Sequence, residues 1–139
     1  MQVRNIMIPG LRGIEAGASL VQAAIQMKRN GVEWLPVCED GSVIGVLSSR
    51  DFVVRGVADG ADPVQTEVRQ IMTAPPSHCR EGNNVVSAAE TMKSHKICQL
   101  LVVNREGRVA GLVSLSQIAA ETGNQSLAGE ALGEVCRDA

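Results

Sequence analysis

Aromatic side chains are nearly absent from this sequence of 139 residues, which contains Trp34 and Phe52 but no tyrosine. Its core must therefore be aliphatic, and the 45% of hydrophobic residues are sufficient to build one. Proteins that bind single-stranded nucleic acid stack bases on aromatic side chains, so that class is nearly excluded. The formal net charge of −2 and the pI of about 5.7 also argue against duplex DNA or RNA as a partner.

Long apolar runs are also missing, since none approaches the about 18 residues needed to cross a bilayer. The first five residues lead into no apolar stretch of the signal-peptide type. We therefore expect a cytoplasmic protein without membrane insertion. None of the four cysteines belongs to a C-x-x-C pair, so we expect no zinc site of the ribbon or finger type and interpret them as free thiols.

An internal repeat organises the chain. When the sequence is shifted by 65 residues, segment 3–38 aligns with segment 68–103 without a gap, and 12 of the 36 pairs are identical. This is several times the roughly two or three expected from average residue frequencies. One inserted residue then extends the match through Gly45 with Gly111 and Ser48 with Ser114. The insertion falls in a predicted hairpin turn, where an extra residue is tolerated.

Each repeat has the same predicted order of elements. Helices are expected over 20–30 and 85–95, with Ser19 and Asn84 as N-cap candidates. Each helix is followed by two strands of a hairpin and then by a second short helix, which completes a β-α-β-β-α unit. The predicted class is α+β, with the two repeats packed about a pseudo-two-fold axis. The expected boundaries are 1–57 for the first repeat, 58–67 for a linker, 68–121 for the second repeat and 122–139 for a C-terminal tail.

The order and spacing of these motifs resemble the CBS (cystathionine-β-synthase) domain family. Both repeats begin with Val-Arg-x-Ile-Met, and the first continues through Gly31–Val37 and Gly45–Asp51. The last stretch is similar to the Gly-h-h-[Ser/Thr]-x-x-Asp ligand motif of that family, where h is an apolar residue. The resemblance covers about residues 3–120.

The resemblance implies a regulatory module without catalytic activity. It implies an adenosine-containing ligand, such as AMP, ADP, ATP or S-adenosylmethionine, and an enzyme or transporter as the regulated partner. It also implies a homodimer. No set of nucleophile, base and orienting residue or metal cluster in the sequence argues for an enzyme.

Ser48 and Asp51 stand where a strand is expected to lead into a helix. The acceptor oxygens of Asp51 suit the two vicinal hydroxyls of a ribose, and Arg50 offers a forked donor for phosphate. The alternative is a capping box, in which the two side chains satisfy N–H groups at the helix start. The spacing alone favours capping, whereas the repeat context favours a ligand.

In the family, ligands lie in clefts between repeats, and the resemblance therefore implies two sets of residues. The first set is Val46, Ser48, Arg50, Asp51, Thr73, Pro75, Ile97, Cys98 and Gln99. The second and weaker set is Val32, Glu33, Trp34, Ser114 and Gln117. The second set is expected to bind less tightly because Gln117 replaces the carboxylate of Asp51.

Two other functions fit the same sequence. One is a structural dimerisation module whose cleft stays empty. The other is a small redox or metal sensor that uses Cys38, Cys79 and Cys98.

Overall fold

The computed structural model describes residues 1–136 and shows a mixed α+β chain. The strands are β1 (Ile8–Pro9), β2 (Ile14–Glu15), β3 (Trp34–Glu39), β4 (Ser42–Ser48), β5 (His78–Arg80), β6 (Gln99–Val103) and β7 (Val109–Ser114). The helices are α1 (Leu20–Asn30), α2 (Ser49–Asp51), α3 (Val85–His95), α4 (Leu115–Thr122) and α5 (Gln125–Cys136). Helix α2 continues as a π-helix over Phe52–Val57, and 3₁₀ turns occupy Val3–Asn5 and Val68–Gln70. The predicted β-α-β-β-α order is present in both repeats.

Helices α1 and α3 begin and end where the sequence predicts. Ser19 forms a capping box at the start of α1, and the Asn84 side chain accepts a hydrogen bond from the Val86 N–H at the start of α3. Helix α1 ends at Gly31 in the left-handed conformation, with φ of 64°. Helix α3 ends at Lys96 with φ of 57°, so a residue with a Cβ occupies a position that favours glycine.

The β3–β4 hairpin turns through Asp40 and Gly41, which both have positive φ values of 52° and 81°. Two consecutive residues with positive φ are typical of a two-residue turn that matches the twist of the strands. The longer loop of the second repeat uses Gly107 at φ 76°. The structure therefore places the inserted residue of the repeat alignment in a turn.

The chain forms two compact units, which do not coincide with the sequence repeats. Unit I consists of Arg12–Pro76, and unit II consists of Met1–Leu11 together with the described residues from Ser77 onward. The opening segment of each repeat therefore belongs to the unit formed by the body of the other repeat. Segment 58–67, the expected linker, lies within unit I, where the Pro63 carbonyl accepts a hydrogen bond from the Val21 N–H of α1.

Unit I contains a three-stranded sheet in the order β2-β3-β4, with β2 parallel and β4 antiparallel to β3. Its core is aliphatic, as the composition predicts, and Leu35, Val37 and Leu47 are fully buried. Full burial of such a side chain contributes about 1.5–3 kcal/mol. This core holds the end of β4 and the start of α2, where the predicted ligand residues lie.

Unit II contains a four-stranded sheet in the order β1-β7-β6-β5. Its aliphatic core includes Leu100, Val102 and Val113, all fully buried. Helix α5 packs on α3 and α4 and buries Ala128 and Ala131. The expected tail thus contains a helix that packs on this unit. The last three residues of the tail, 137–139, lie outside the described part of the chain.

Candidate functional site

The Ser48–Asp51 junction is a capping box. The Asp51 N–H donates to Ser48 Oγ at 3.2 Å, and the Ser48 N–H donates to Asp51 Oδ2 at 2.9 Å. Strand β4 delivers Ser48 in an extended conformation, and α2 starts at the next residue. The capping alternative is therefore confirmed as the local structure. Because a carboxylate has about four acceptor positions, capping does not use up the hydrogen-bonding capacity of Asp51.

The second carboxylate oxygen of Asp51 faces the opening segment of the second repeat. The Thr73 hydroxyl donates to Asp51 Oδ1 at 3.1 Å. Asp51 is only 6% exposed. Within residues 1–136, it is the one polar or charged residue that is buried. Two hydrogen bonds compensate for the burial of its carboxylate.

The Thr73 backbone is paired with strand β4. The Val46 N–H donates to the Thr73 carbonyl and the Thr73 N–H donates to the Val46 carbonyl, both at 2.9 Å. Gly45 permits this approach, since a Cβ on Gly45 would lie 2.8 Å from the Thr73 carbonyl oxygen. The junction is thus built from two segments of unit I that are far apart in sequence.

Arg55 holds the same segment through its backbone carbonyls. Its Nη1 donates to the carbonyl oxygen of Met72 at 2.7 Å and contacts that of Ile71 at 3.5 Å. Sequence reasoning did not identify this residue. The repeat alignment could not have identified it, because Glu121 occupies the corresponding position of the second repeat.

Arg50 and Pro75 are exposed residues of the same unit. Two N–H groups of the first turn are already occupied, since the Ser49 N–H donates to the Glu33 carbonyl at 2.9 Å and the Asp51 N–H donates to Ser48. An anion near this helix start would therefore depend on the Arg50 guanidinium more than on free N–H groups of the first turn.

Unit II has the corresponding junction at Ser114 and Gln117. The Ser114 N–H donates to Gln117 Oε1 at 2.9 Å, and the Gln117 N–H donates to Ser114 Oγ at 3.3 Å. The amide Nε2 of Gln117 donates to the Ile6 carbonyl oxygen at 3.3 Å. Gln117 therefore faces an acceptor, the Ile6 carbonyl, whereas Asp51 faces a donor, the Thr73 hydroxyl. This difference gives a structural reason why the second repeat has an amide where the first has a carboxylate.

The remaining predicted residues lie beside the junction of their own unit. Trp34 pairs with Ser48 in unit I, next to Val32 and Glu33. In unit II, Gln99 pairs with Ser114, and the Cys98 carbonyl accepts a hydrogen bond from the Leu115 N–H. Ile97, which precedes them, packs against the core of unit II. A combination of residues from both units, as the resemblance implies, stays a prediction.

A groove of about 430 Å³ opens beside the junction of unit II. Its polar lining includes Cys98, Gln99, Ser114 and Ser116, and its apolar lining comes from α4 and α5, including Leu115, Ala119, Ala128 and Leu132. Two of its lining residues, Cys98 and Gln99, belong to the first predicted ligand set, and Ser114 belongs to the second. A groove of this size is in the range of small-molecule sites.

The cysteines differ in their surroundings. Burial raises the pKa of the Cys79 thiol to about 11. Burial and the nearby Glu15 carboxylate raise the pKa of Cys38. Cys98 and Cys136 are exposed. A raised pKa leaves little thiolate near neutral pH, so Cys38 and Cys79 are poor nucleophiles and poor metal ligands.

Over residues 1–136, no group of three or more His, Cys, Asp or Glu residues is placed to hold a metal ion. None of the helices in that range combines the length and the apolar character required to cross a membrane.

A family model described as the CBS domain matches residues 3–56 and again residues 68–122. The chain is similar to the CBS domain-containing protein YhcV of Bacillus subtilis, with 29% identity over 133 residues, 96% of this chain and 94% of that protein. It is 33% identical to the Meiotically up-regulated gene 70 protein of Schizosaccharomyces pombe over 101 residues, 73% of this chain. That match spans 14% of the length of the yeast protein.

Three solved structures share the fold. Hypoxic Response Protein I with two coordinated zinc ions has a TM-score of 0.78 at 25% identity, covering 86% of this chain and 98% of that one. The CBS domain pair of MJ0100, in complex with 5′-methylthioadenosine and S-adenosyl-L-methionine, has a TM-score of 0.76 at 22% identity, with 90% and 98% covered. CBSX2 in complex with AMP has a TM-score of 0.73 at 22% identity, with the same coverage.

Proposed function

Since the chain belongs to the CBS domain family and carries two copies of the domain, we propose that it is a non-catalytic regulatory module. It binds an adenosine-containing ligand and changes its interaction with a partner protein according to whether the ligand is present. An enzyme or a transporter is the partner class that the resemblance implies. We further propose a homodimer in the cytoplasm.

The observation that carries the ligand proposal is the junction formed by Ser48, Asp51 and Thr73. Asp51 accepts one hydrogen bond at each carboxylate oxygen, from the Ser48 N–H and from the Thr73 hydroxyl. Each oxygen retains acceptor capacity for one further donor. The vicinal hydroxyls of a ribose supply two such donors, and hydrogen bonds to a charged acceptor contribute about 1.5–3 kcal/mol.

Arg50 supplies the phosphate contact in this proposal. It precedes Asp51 and is exposed, so its guanidinium is available to a phosphate in bidentate geometry. Nucleotides such as AMP, ADP and ATP carry this group, whereas S-adenosylmethionine does not. Arg50 therefore distinguishes the two kinds of adenosine ligand.

The ligands of related proteins support this class. MJ0100 has 5′-methylthioadenosine and S-adenosyl-L-methionine bound to its CBS domain pair, and CBSX2 has AMP bound. All three molecules contain the adenosine ribose that Asp51 would bind. Ile97, Cys98 and Gln99 remain further predicted contacts. The weaker second set remains Val32, Glu33, Trp34, Ser114 and Gln117.

The two other candidate functions differ in what they require. A structural dimerisation module requires no ligand at Asp51. A redox or metal sensor requires reactive cysteines, and the raised pKa values of Cys38 and Cys79 argue against those two residues. Hypoxic Response Protein I is a related protein with coordinated zinc, so zinc belongs in the test.

Thermal unfolding with a ligand panel tests the proposal. The panel is AMP, ADP, ATP, S-adenosylmethionine and 5′-methylthioadenosine, with GMP and Zn²⁺ as controls. A ligand at 100 times its Kd adds about 2.7 kcal/mol to the free energy of unfolding. We expect at least one adenosine compound to stabilise the protein and GMP to have a smaller effect. Stabilisation by Zn²⁺ alone would favour the metal sensor, and no stabilisation by any compound would favour the structural module.

A further inference from the structure

A cavity of about 760 Å³ lies on unit I, between α1 and the segment that leads into β2. It shares no lining residue with the Ser48–Asp51 junction or with either predicted ligand set. Its volume is in the range of small-molecule sites. The polar side chains that line it are those of Arg12, Glu15, Gln22, Gln26, Arg29 and Asn30. We call this cavity the arginine pocket.

Two separate segments bring arginines to the pocket. Gln22, Gln26 and Arg29 lie on one face of α1, because residues three and four apart are neighbours on a helix. The Gln26 amide nitrogen donates to the Gly13 carbonyl oxygen at 3.1 Å, which holds the segment before β2 beside that face of the helix. Arg12 precedes Gly13 in the same segment. Arg12 and Arg29 therefore line one cavity although 17 residues of sequence separate them.

The guanidinium groups of both arginines are unpaired. Within residues 1–136, neither Arg12 nor Arg29 has a side-chain hydrogen bond or an ion pair. Arg69 of the same unit differs, because it pairs with Glu39 at 3.0 Å and with Glu67 at 3.3 Å. Each guanidinium has five N–H donors in a planar fork. The protein thus leaves two complete sets of charged donors at one cavity.

The rest of the lining favours an anion as well. Glu15 supplies one carboxylate against the two guanidiniums, so the lining carries a net charge of +1 at neutral pH. The Gln22 amide oxygen accepts from the Ser19 N–H at 2.8 Å, which leaves its amide nitrogen available as a donor. The Asn30 amide adds a second neutral donor. An acceptor-rich, negatively charged ligand matches this set.

The second repeat lacks both arginines. Arg12 aligns with Ser77, and Arg29 aligns with Ser94. Because the second repeat forms the same elements without these cations, the fold does not require them. Arg29 lies in the last turn of α1, where a cation complements the helix dipole. Arg12 lies outside any helix and has no such role.

We propose that the arginine pocket is a second ligand site, which binds the diphosphate or triphosphate group of a small molecule. Two unpaired guanidiniums require a ligand with at least two negative charges, and a phosphate chain also offers enough oxygens for two bidentate contacts and the amide donors. A single carboxylate would satisfy only one guanidinium. The site does not depend on the adenosine ligand proposed above, because the two share no residue.

Titration calorimetry of the full chain with inorganic pyrophosphate, without divalent metal, is the first test. We expect one pyrophosphate per chain in the wild-type protein. Arg12→Gln and Arg29→Gln should each lower the affinity about tenfold or more, since each removes a charge-assisted contact. Arg105→Gln is the matched control, because it removes the same charge from an exposed position of unit II. Its affinity should equal that of the wild-type protein. Circular dichroism checks that all three variants fold.

Glu15→Gln tests the pocket in the opposite direction. It removes the one carboxylate of the lining, so the affinity for pyrophosphate should rise about two- to fivefold, the range of an exposed charge pair. A variant that merely damaged the pocket would not bind more tightly. An affinity that is unchanged or lower in Glu15→Gln would count against the site.

Two further arms separate this site from its alternatives. Arg50→Gln should leave pyrophosphate affinity unchanged, and its loss there would place the probe at the adenosine site. Citrate should bind more weakly than pyrophosphate, and tighter binding of citrate would reject a phosphate site. Absence of pyrophosphate binding, or equal weakening by Arg105→Gln, would also overturn the proposal. Failure of the adenosine proposal would look different, because adenosine compounds would not stabilise the protein while pyrophosphate would still bind.

Discussion

The hydroxyl of Thr73 donates a hydrogen bond to Oδ1 of Asp51 at 3.1 Å, across 22 residues of sequence. This bond joins the opening segment of the second repeat to the helix start of the first. A ligand that binds the Asp51 carboxylate would therefore contact a group whose position depends on both segments. Ligand binding at this site should consequently be sensitive to changes in Thr73 as well as in Asp51.

Asp51→Asn separates the ligand role from the capping role. The amide oxygen can still accept from the Ser48 N–H, and the amide nitrogen can donate to the Thr73 hydroxyl, which also accepts hydrogen bonds. We expect little loss of stability, but about tenfold or greater loss of affinity for the adenosine ligand, because the charged acceptor is gone. Titration calorimetry with the ligand identified by the panel measures this.

Asp59→Asn provides the control for Asp51→Asn, since Asp59 is an exposed carboxylate of the same unit. We expect this control to bind like the wild-type protein. Unchanged affinity in Asp51→Asn would leave the Ser48–Asp51 pair with a capping role alone.

Gln117→Glu should be more harmful to stability than Asp51→Asn. Gln117 donates through Nε2 to the Ile6 carbonyl oxygen, so a carboxylate would place two acceptors 3.3 Å apart. We expect a loss of about 1–2 kcal/mol in the free energy of unfolding, measured by urea titration. A Gln117→Glu variant as stable as the wild-type protein would show that the bond to Ile6 does not explain why the second repeat has an amide.

Much of the fold could be predicted because its signals are local. Ser19 and Asn84 cap helices α1 and α3, and Gly31 and Gly41 mark a helix end and a hairpin. Each signal depends on backbone hydrogen bonds or φ preferences within a few residues. The repeat then allowed the same elements to be predicted twice.

The contacts that define the site could not be predicted in the same way. Thr73 was expected near the ligand through the resemblance, but its bond to Asp51 depends on how a distant segment pairs with β4. Arg55 holds that segment by donating to a backbone carbonyl. Every residue has such a carbonyl, so the sequence does not reveal which one Arg55 contacts. The exchange of opening segments between the two units is likewise a property of chain topology and not of local preference.

Lys96→Gly should stabilise the protein. Lys96 ends α3 with φ of 57°, a conformation that costs a residue with a Cβ more than it costs glycine, and the first repeat has Gly31 there. We expect a gain of about 0.5–1 kcal/mol by chemical denaturation, reduced in part by the greater freedom of glycine in the unfolded chain. Gly31→Ala is the matched control with the opposite expected sign. A destabilised Lys96→Gly variant would show that the Lys96 side chain contributes more than the backbone strain costs.

Cys79 should make the protein less stable at high pH. Burial raises its pKa in the folded state to about 11, from an ordinary value of 9.0. The unfolded chain therefore releases the thiol proton first, and the contribution of the buried thiol to stability is complete below pH 9 and is lost as the pH rises toward 11. A shift of about two pKa units corresponds to roughly 2.7 kcal/mol in full, of which roughly 2 kcal/mol should be lost by pH 11. Urea unfolding of the wild-type protein and of Cys79→Ala, at intervals from pH 8 to pH 11, isolates this effect because every other titrating group is common to both.

Cys79→Ala should be less stable than the wild-type protein at pH 8, since the substitution leaves a cavity, but the difference in unfolding free energy between the two proteins should narrow as the pH rises. A difference that stays constant over the whole range would mean that Cys79 ionises equally easily in the folded and unfolded states, and that its burial does not protect the thiol.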